Sequence, residues 1–333
     1  MKFLYISLIF FSNLMMAQNY PTIGKIVRLD PALDNLLDKD TKIEVLASGF
    51  VWSEGPAWIK QDGGYLIFSD VPQNTIFKWS EAEGLTTFLK PSGYTGRGEY
   101  SDEPGSNGLT INKKGEIVAC EHGDRRVTAM PIAGAGKRTL ADNFEGKKFN
   151  SPNDVVQHSS GAYYFTDPPY GLAKKDKDPT REIDWFGVYR IATDKSVKLV
   201  IKDMTRPNGL AFSPDEKILY VAQSDPEQAI IKSFVVKPDG ELENGKVFFD
   251  ATTMFKSGLK GLPDGLRVDT NGNLWATGPG GVLVINPQGK LLGRIDVGES
   301  VANCAWGNDG STLYLTADMY LCRIRTKARG AGW

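Results

Sequence analysis

Six short motifs in this chain each place an oxygen-bearing side chain just ahead of an apolar run: SEGPAW from Ser53, SNGLTI from Ser106, SPNDVV from Ser151, RPNGLAFS from Arg206, PDGLRVD from Pro263 and VANCAWG from Val301. The side chains are Glu54, Asn107, Asn153, Asn208, Asp264 and Asn303. Two carboxylates and several amide oxygens suit a hard cation, since Ca²⁺ accepts about six to eight oxygens, Asn side chains and waters among them. The charges of Glu54 and Asp264 would neutralise a divalent ion. Glu54, Asn153, Asn208 and Asp264 form the candidate metal set, and a set with neither thiolate nor imidazole makes transition-metal ligation less natural, so Ca²⁺ ranks first, with Zn²⁺, Mg²⁺ or Mn²⁺ as alternatives. Any one Asn-Gly or Asp-Gly pair is ordinary turn chemistry. An oxygen at the same place in every copy is what points to a shared site.

Candidate proton-transfer groups come from the same repeats. In Asn150–Gly171, NSPNDVVQHSSGAYYFTDPPYG, a turn opens a strand at Val155, Ser159-Ser160-Gly161 reverses it, and Ala162 to Thr166 returns. The end of the second strand of a hairpin lies beside the start of the first, so Asp167 is expected close to Asn153. The equivalent return in the second copy brings Glu121 and His122 towards the same rim. His122 is the imidazole best placed to be an acid or base there, and a hydrogen-bonded turn histidine before Gly123 is the alternative. His158 falls at the far end of its hairpin.

The elements that position these residues form a repeat. Each motif begins a strand, a turn such as KKGE, SPDEK, TNGN or NDGS follows, and a second and third strand come after. Outer strands read TTFLK, KRTLAD, VKLVIKD, KVFFDA and LLGRIDV, and the sixth copy ends without one. A period of about 40 to 55 residues with several short strands is the signature of a β-propeller. The expected fold is therefore all-β: a six-bladed β-propeller with four-stranded blades, in which an N-terminal strand over Ile43–Ala47 completes the last blade and closes the ring. In a propeller the first strand of each blade lines the central channel, so the six oxygen-bearing residues converge on one mouth. Pro31–Asp38 fits a short helix. Two polar insertions, Pro91–Gly105 and Pro169–Trp185, have the length of binding loops, and Arg97 and Tyr170 on them join Asn107 and Asn153 as candidate substrate contacts.

Composition agrees with one large folded domain over residues 18–333: the 333 residues are 41% hydrophobic and 24% charged, with a net charge of −1. Near-zero charge with scattered Lys and Arg excludes the electrostatic footprint of a nucleic-acid or anionic-membrane binder. The start, MKFLYISLIFFSNLMMAQ, reads as a signal peptide over residues 1–17, a run too short to span a bilayer and cleaved after about Ala17. Secretion or a periplasmic location, and a monomer or weak homo-oligomer with no membrane attachment, are the expectations. Cys120, Cys304 and Cys322 cannot make a complete disulfide framework; Cys304 with Cys322 could pair, and small buried hydrophobes is the favoured reading.

SEGPAW, SNGL, CEHGDRRV, SPNDVV, YFTDPPYGL, RPNGLAFSPDEKILYVA and DGLRVDTNGNLWAT together resemble the SMP-30/gluconolactonase/LRE-like (regucalcin-like) family, its bacterial gluconolactonase branch above all, over roughly Gly49 to Ile324. The resemblance implies a six-bladed propeller with one divalent cation, usually Ca²⁺, held by residues matching Glu54, Asn153, Asn208 and Asp264. It also implies hydrolysis of sugar lactones, with Asp264 as the general base; Glu121, His122 and Asp167 are the other candidates for that role. Animal members carry an arginine two residues before the third-blade Asn, where this chain has Ser151, and Arg97, Arg125 or Arg206 are candidates to replace it. Two other readings stand beside lactone hydrolysis. One is an organophosphate or aryl ester hydrolase of the paraoxonase type, which shares similar turns, and the other a non-catalytic ligand-binding propeller with a structural cation.

Overall fold

A computed structural model describes residues 19–134 and 136–333 of the chain; the expected signal segment, residues 1–17, lies outside them. Its strands are apolar on both faces, and the period of two decides what each face meets. In Tyr65–Asp70, Leu66 and Phe68 pack with Phe50, Trp79 and Tyr314, while Ile67 points the other way, to Leu109 and Ala119. In Glu116–Glu121, Ile117 and Ala119 face back to Ile67, and Val118 and Cys120 face on to Phe149 and Phe165. A sheet buried on both sides needs a neighbour on each. Stacking blades round an axis supplies one without leaving an open end.

The six blades follow in chain order. The first four begin with inner strands Ser53–Ile59, Ser106–Ile111, Val155–Gln157 and Pro207–Phe212, and the last two with Leu266–Val268 and Asn303–Gly307. Within each of the first four blades the strands pair antiparallel in sequence order from the channel outward, and the fifth and sixth keep that order until N-terminal strands add to their outer edges. One apolar cluster fills each blade-to-blade contact. Between the second and third blades Phe149 meets Phe165 edge-on at 5.0 Å and Phe165 stacks on Tyr189 at 5.4 Å. Truncating a ring so enclosed costs about 3–5 kcal/mol.

The ring closes as expected. Ile43–Ser48 pairs with Tyr320–Arg325, setting Ser48 opposite Tyr320 and Glu44 opposite Arg323. Arg323 is buried and pairs with Glu44 at 2.6 Å and with Glu81, so the closing strand is tied to the first blade as well as the last. Two further strands at the N-terminal side were not foreseen, nor was the small hairpin of Asn143–Phe144 with Lys147–Lys148: Thr22–Ile23 lies along the closing strand, and Lys25–Arg28 lies along Leu291–Asp296 as a fifth strand of the fifth blade. Gly24 joins them at φ 65°, where a Cβ would sit 2.0 Å from the Asp296 carbonyl oxygen, so only glycine fits. The short helix after them is a 3₁₀ turn, Pro31–Asn35, capped by Asp30 accepting from Ala32 N–H at 2.8 Å. All three cysteines are free and buried.

Candidate functional site

The site residues are aimed by bulges. In the first blade, pairing runs through Glu54 and Ser69 and resumes only at Ala57 and Ile67; the same slip falls between Ser106 and Leu109, and between Pro207 and Leu210. A bulge re-aims a side chain that plain alternation would send to a blade face. Glu54, Asn107 and Asn208 are thereby turned into the channel, and the Asn-Gly pairs are strand bulges rather than turns. The glycine after each lets neighbouring blades touch through their backbones: a Cβ on Gly209 would lie 2.3 Å from the Asp264 carbonyl oxygen. Asn153 and Asp264 reach the same mouth from the segments just ahead of their short inner strands.

Glu54, Asn107, Asn153, Asn208 and Asp264 line one cavity of about 380 Å³. Neighbours fix how each presents its oxygen. Asn208 Nδ2 donates to Ser224 Oγ at 3.2 Å, and Ser224 in turn donates to the Pro263 carbonyl at 2.5 Å, which leaves Asn208 Oδ1 for the cavity. Glu54 Oε2 accepts from Gly55 N–H at 2.8 Å and from Asn303 Nδ2 at 3.2 Å, leaving Oε1. Asn303 Oδ1 is occupied by Cys304 N–H, so Asn303 orients Glu54 instead of facing the cavity.

Three oxygens here, Asn107 Oδ1, Asn153 Oδ1 and Asp264 Oδ1, are buried with no hydrogen-bond partner among the described residues. Burial pushes the Glu54 carboxyl up to about 8, helped by the negative charge of Asp154, and burial with the charge of Glu54 drives Asp264 well above the carboxylate range. Orphaned acceptors and mutually repelling acids are a combination that a hard cation relieves. The donor set therefore fits a Ca²⁺-like ion. Among the described residues no cluster of three or more His, Cys, Asp or Glu is close enough to hold a metal; half of the candidate set is amide. The opposite end of the channel opens into a second cavity, of about 590 Å³, whose lining contains Lys60, Lys113 and Arg267 and no Asp or Glu. The acids are thus gathered at one end.

The other sequence candidates are placed elsewhere. Asp167 does return beside Asn153, whose N–H donates to the Thr166 carbonyl at 2.8 Å. Its own carboxylate accepts from Asn150 N–H and Ser151 N–H, each at 2.8 Å, while burial pushes its pKa up to about 7. Asp70 accepts from Val51 and Trp52 N–H in the first blade, and Gln223 from Thr205 N–H in the fourth. The last residue of these second strands braces the loop two or three residues ahead of the site residue. Glu121 is buried against Lys137 at 2.6 Å, Arg126 at 2.7 Å and the Thr128 hydroxyl at 2.7 Å. His122 is buried beside the cavity wall, its Nδ1 3.2 Å from the Glu103 carbonyl, and burial lowers its pKa to about 3. None of these three lines the cavity. Tyr170 and Arg206 do line it. Arg97 is exposed on its loop, and Arg125 is committed to the Phe149 and Thr180 carbonyls.

Two acids at the site escaped the sequence reading. Asp154 is buried with Oδ1 on Val155 N–H at 2.8 Å and Oδ2 unpartnered, and burial raises its pKa against the pull of Arg267. Its signal was the break in the Asn-Gly pattern, SPND where the second and fourth copies have NG. Glu103 lines the cavity from the insertion Pro91–Gly105. A signal existed there too, an acid placed three residues before the second motif by the rigid Pro104-Gly105.

Comparisons with known proteins agree with this architecture. The sequence profile of the SMP-30/Gluconolactonase/LRE-like region matches residues 52–318. A gluconolactonase of Zymomonas mobilis is 41% identical over 318 residues, covering 94% of this chain and 89% of that protein. The solved structure of a gluconolactonase from Xanthomonas campestris superposes with a TM-score of 0.78 at 30% identity, covering 93% of this chain and 99% of the other. A calcium-binding regucalcin from Agrobacterium tumefaciens shares the fold, with a TM-score of 0.66 at 19% identity over 94% of this chain and 98% of that one.

Proposed function

This chain belongs to the SMP-30/gluconolactonase/LRE-like family, and from that premise we propose that it is an exported, divalent-cation-dependent lactonase that opens a sugar lactone by attack of water. The observation that carries the reading is the cavity at the acidic end of the channel, where oxygens from five blades converge and three of them are buried without partners. Its volume of about 380 Å³ suits a small-molecule substrate.

Glu54, Asn153, Asn208 and Asp264 would hold the ion, Ca²⁺ being the best match to an all-oxygen set. Such an ion supplies Lewis-acid polarisation of the lactone carbonyl and charge for the tetrahedral oxyanion. The chain's own part is positioning. Ser224 and Asn303 fix the rotation of Asn208 and Glu54, and Asn107 Oδ1 is left as an acceptor for a substrate hydroxyl. Tyr170 walls the cavity on the side of the second insertion, and Arg206 presents a guanidinium that makes no hydrogen bond or ion pair with the described residues. Arg206 thus fits as the cation that contacts the sugar in place of the arginine that Ser151 replaces. Asp264 is the family's candidate for taking the proton from water.

The test is hydrolysis of a panel of aldonolactones, simple lactones, aryl esters and organophosphates, followed by acid release with and without chelator. Turnover of aldonolactones that chelator abolishes and Ca²⁺ restores is the expected result. Turnover confined to aryl esters or organophosphates moves the substrate class, and no turnover on any of them ends the enzymatic reading. Export is checked by the mass of the mature protein, expected to begin near Gln18.

A further inference from the structure

Glu103 arrives at the cavity from outside the propeller's repeat. The insertion Pro91–Gly105 rejoins the second blade through Glu103-Pro104-Gly105, and three contacts lock that return: His122 N–H donates to the Gly105 carbonyl and Gly123 N–H to the Pro104 carbonyl, each at 3.1 Å, while His122 Nδ1 stands 3.2 Å from the Glu103 carbonyl. The backbone is held and the side chain is left free. Among the described residues its carboxylate has only loose neighbours, Lys175 Nζ at 3.6 Å from Oε1 and His122 Nδ1 at 3.8 Å from Oε2. Of the other carboxylates near the mouth, Glu121 is taken by Lys137 and Arg126, Asp167 by backbone N–H groups, and Glu54 and Asp264 belong to the oxygen set described above, while Asp154 keeps an unpartnered Oδ2 but does not line the cavity.

We propose that Glu103 is the general base of the hydrolysis, and that Lys175, reaching it from the second insertion, is a positioning residue that sets its basicity. The proposal rests on the lactonase reading. An O–H bond of water breaks, its proton passes to the Glu103 carboxylate, and the water oxygen bonds to the lactone carbonyl carbon. The ring C–O bond then breaks, its electron pair stays on the ring oxygen, and that oxygen takes the proton back from Glu103. Lactone and water become a hydroxy acid with Glu103 regenerated.

The surroundings favour this role. Burial raises the Glu103 pKa, Lys175 pulls it down and Asp102 adds to the rise. Glu54 and Asp264 line the same cavity as Glu103, and His122 behind it stays neutral. A base works best with a pKa near the working pH. A carboxylate tied to a cation is a poor base by the same argument, which separates Glu103 from Asp264.

The experiment compares wild type, Glu103→Gln and Lys175→Met, full-length mature chains in saturating Ca²⁺, on an aldonolactone across pH. Glu103→Gln should lose about 10²- to 10⁴-fold in kcat, with a melting temperature and KM close to wild type. Lys175→Met should move the acid limb of the pH–rate profile to higher pH, because the charge that holds Glu103 down is gone. A Glu103→Gln variant within threefold of wild type, or an acid limb unmoved by Lys175→Met, overturns the proposal even if the enzyme is a lactonase. A wild type inactive on every lactone overturns the lactonase reading and this one with it.

Discussion

Asn303 of the last blade donates its side-chain N–H to Glu54 of the first at 3.2 Å, across 249 positions of sequence and the seam at which the ring closes. The oxygen set at the channel mouth therefore depends on closure, and closure is felt at the site.

Replacing Asn303 with Ala should expose that dependence. Glu54 Oε2 would keep only Gly55 N–H as a partner, and a buried acceptor stripped of a partner costs about 1–3 kcal/mol. The variant should melt lower than wild type and need more Ca²⁺ to reach full activity. Unchanged melting and an unchanged Ca²⁺ titration would show that the contact is incidental.

Removing the ion should loosen the whole ring, since its candidate ligands come from four blades. A ligand at about a hundred times its dissociation constant stabilises the folded state by about 2.7 kcal/mol. Chelation is expected to lower the melting temperature and added Ca²⁺ to restore it. Identical melting curves for metal-free and Ca²⁺-loaded protein would remove the cation from the site.

Asp264→Asn and Asn208→Ala separate ligation from proton transfer. Asn keeps one oxygen at position 264 but cannot accept a proton at neutral pH. With Glu103 as base, both variants should bind Ca²⁺ more weakly and both should recover most of their turnover at measured full occupancy. Failure of Asp264→Asn alone, down by about 100-fold with the site full, would make Asp264 the base.

His122 should make the protein acid-sensitive. Its folded pKa is lowered to about 3 by burial, whereas in the unfolded chain it titrates near 6.5. Below about pH 6.5 the unfolded state binds a proton that the folded state refuses until about pH 3, so the stability His122 permits is complete above 6.5 and is lost as pH falls. At pH 5 the loss is about 2 kcal/mol. His122→Gln should show a smaller fall in melting temperature between pH 7 and pH 5, with Lys175 and Glu103, the charged groups facing it, common to both proteins. Parallel declines would refute this.

Much of the architecture was legible because a propeller writes itself six times. The turn signals around KKGE, SPDEK, TNGN and NDGS place strands that the structure reproduces, and the missing outer strand of the sixth copy leads to Ile43–Ser48. What was hidden depends on contacts between distant segments. Thr22–Ile23 and Lys25–Arg28 are too short to show a period, and they are strands only because closed blades offer them an edge. Asn107-Gly108 and Asn208-Gly209 read locally as turns, and become bulges because the neighbouring blade crowds the channel. Hairpin logic brought Asp167 and Glu121 to the rim, but could not say that their oxygens are taken up by backbone amides and by Lys137 and Arg126. Glu103 sits in an insertion, where repeat-based reasoning has nothing to align.

The closing strand also dictates an order of events during the protein's making. Ile43–Ser48 is made well before its partner Tyr320–Arg325. Until that partner is made the strand and Thr22–Ile23 beside it have no sheet to join, and the sixth blade has no outer strand; Lys25–Arg28 waits only for Leu291–Asp296 of the fifth blade. Such extreme sequence separation slows folding, and a partly made chain carries unpaired strand edges open to wrong partners. Closure of the ring must therefore wait until Tyr320–Arg325 has been made. Until that strand docks the ring stays open, and the closing strand Ile43–Ser48 stays accessible to whatever machinery meets it.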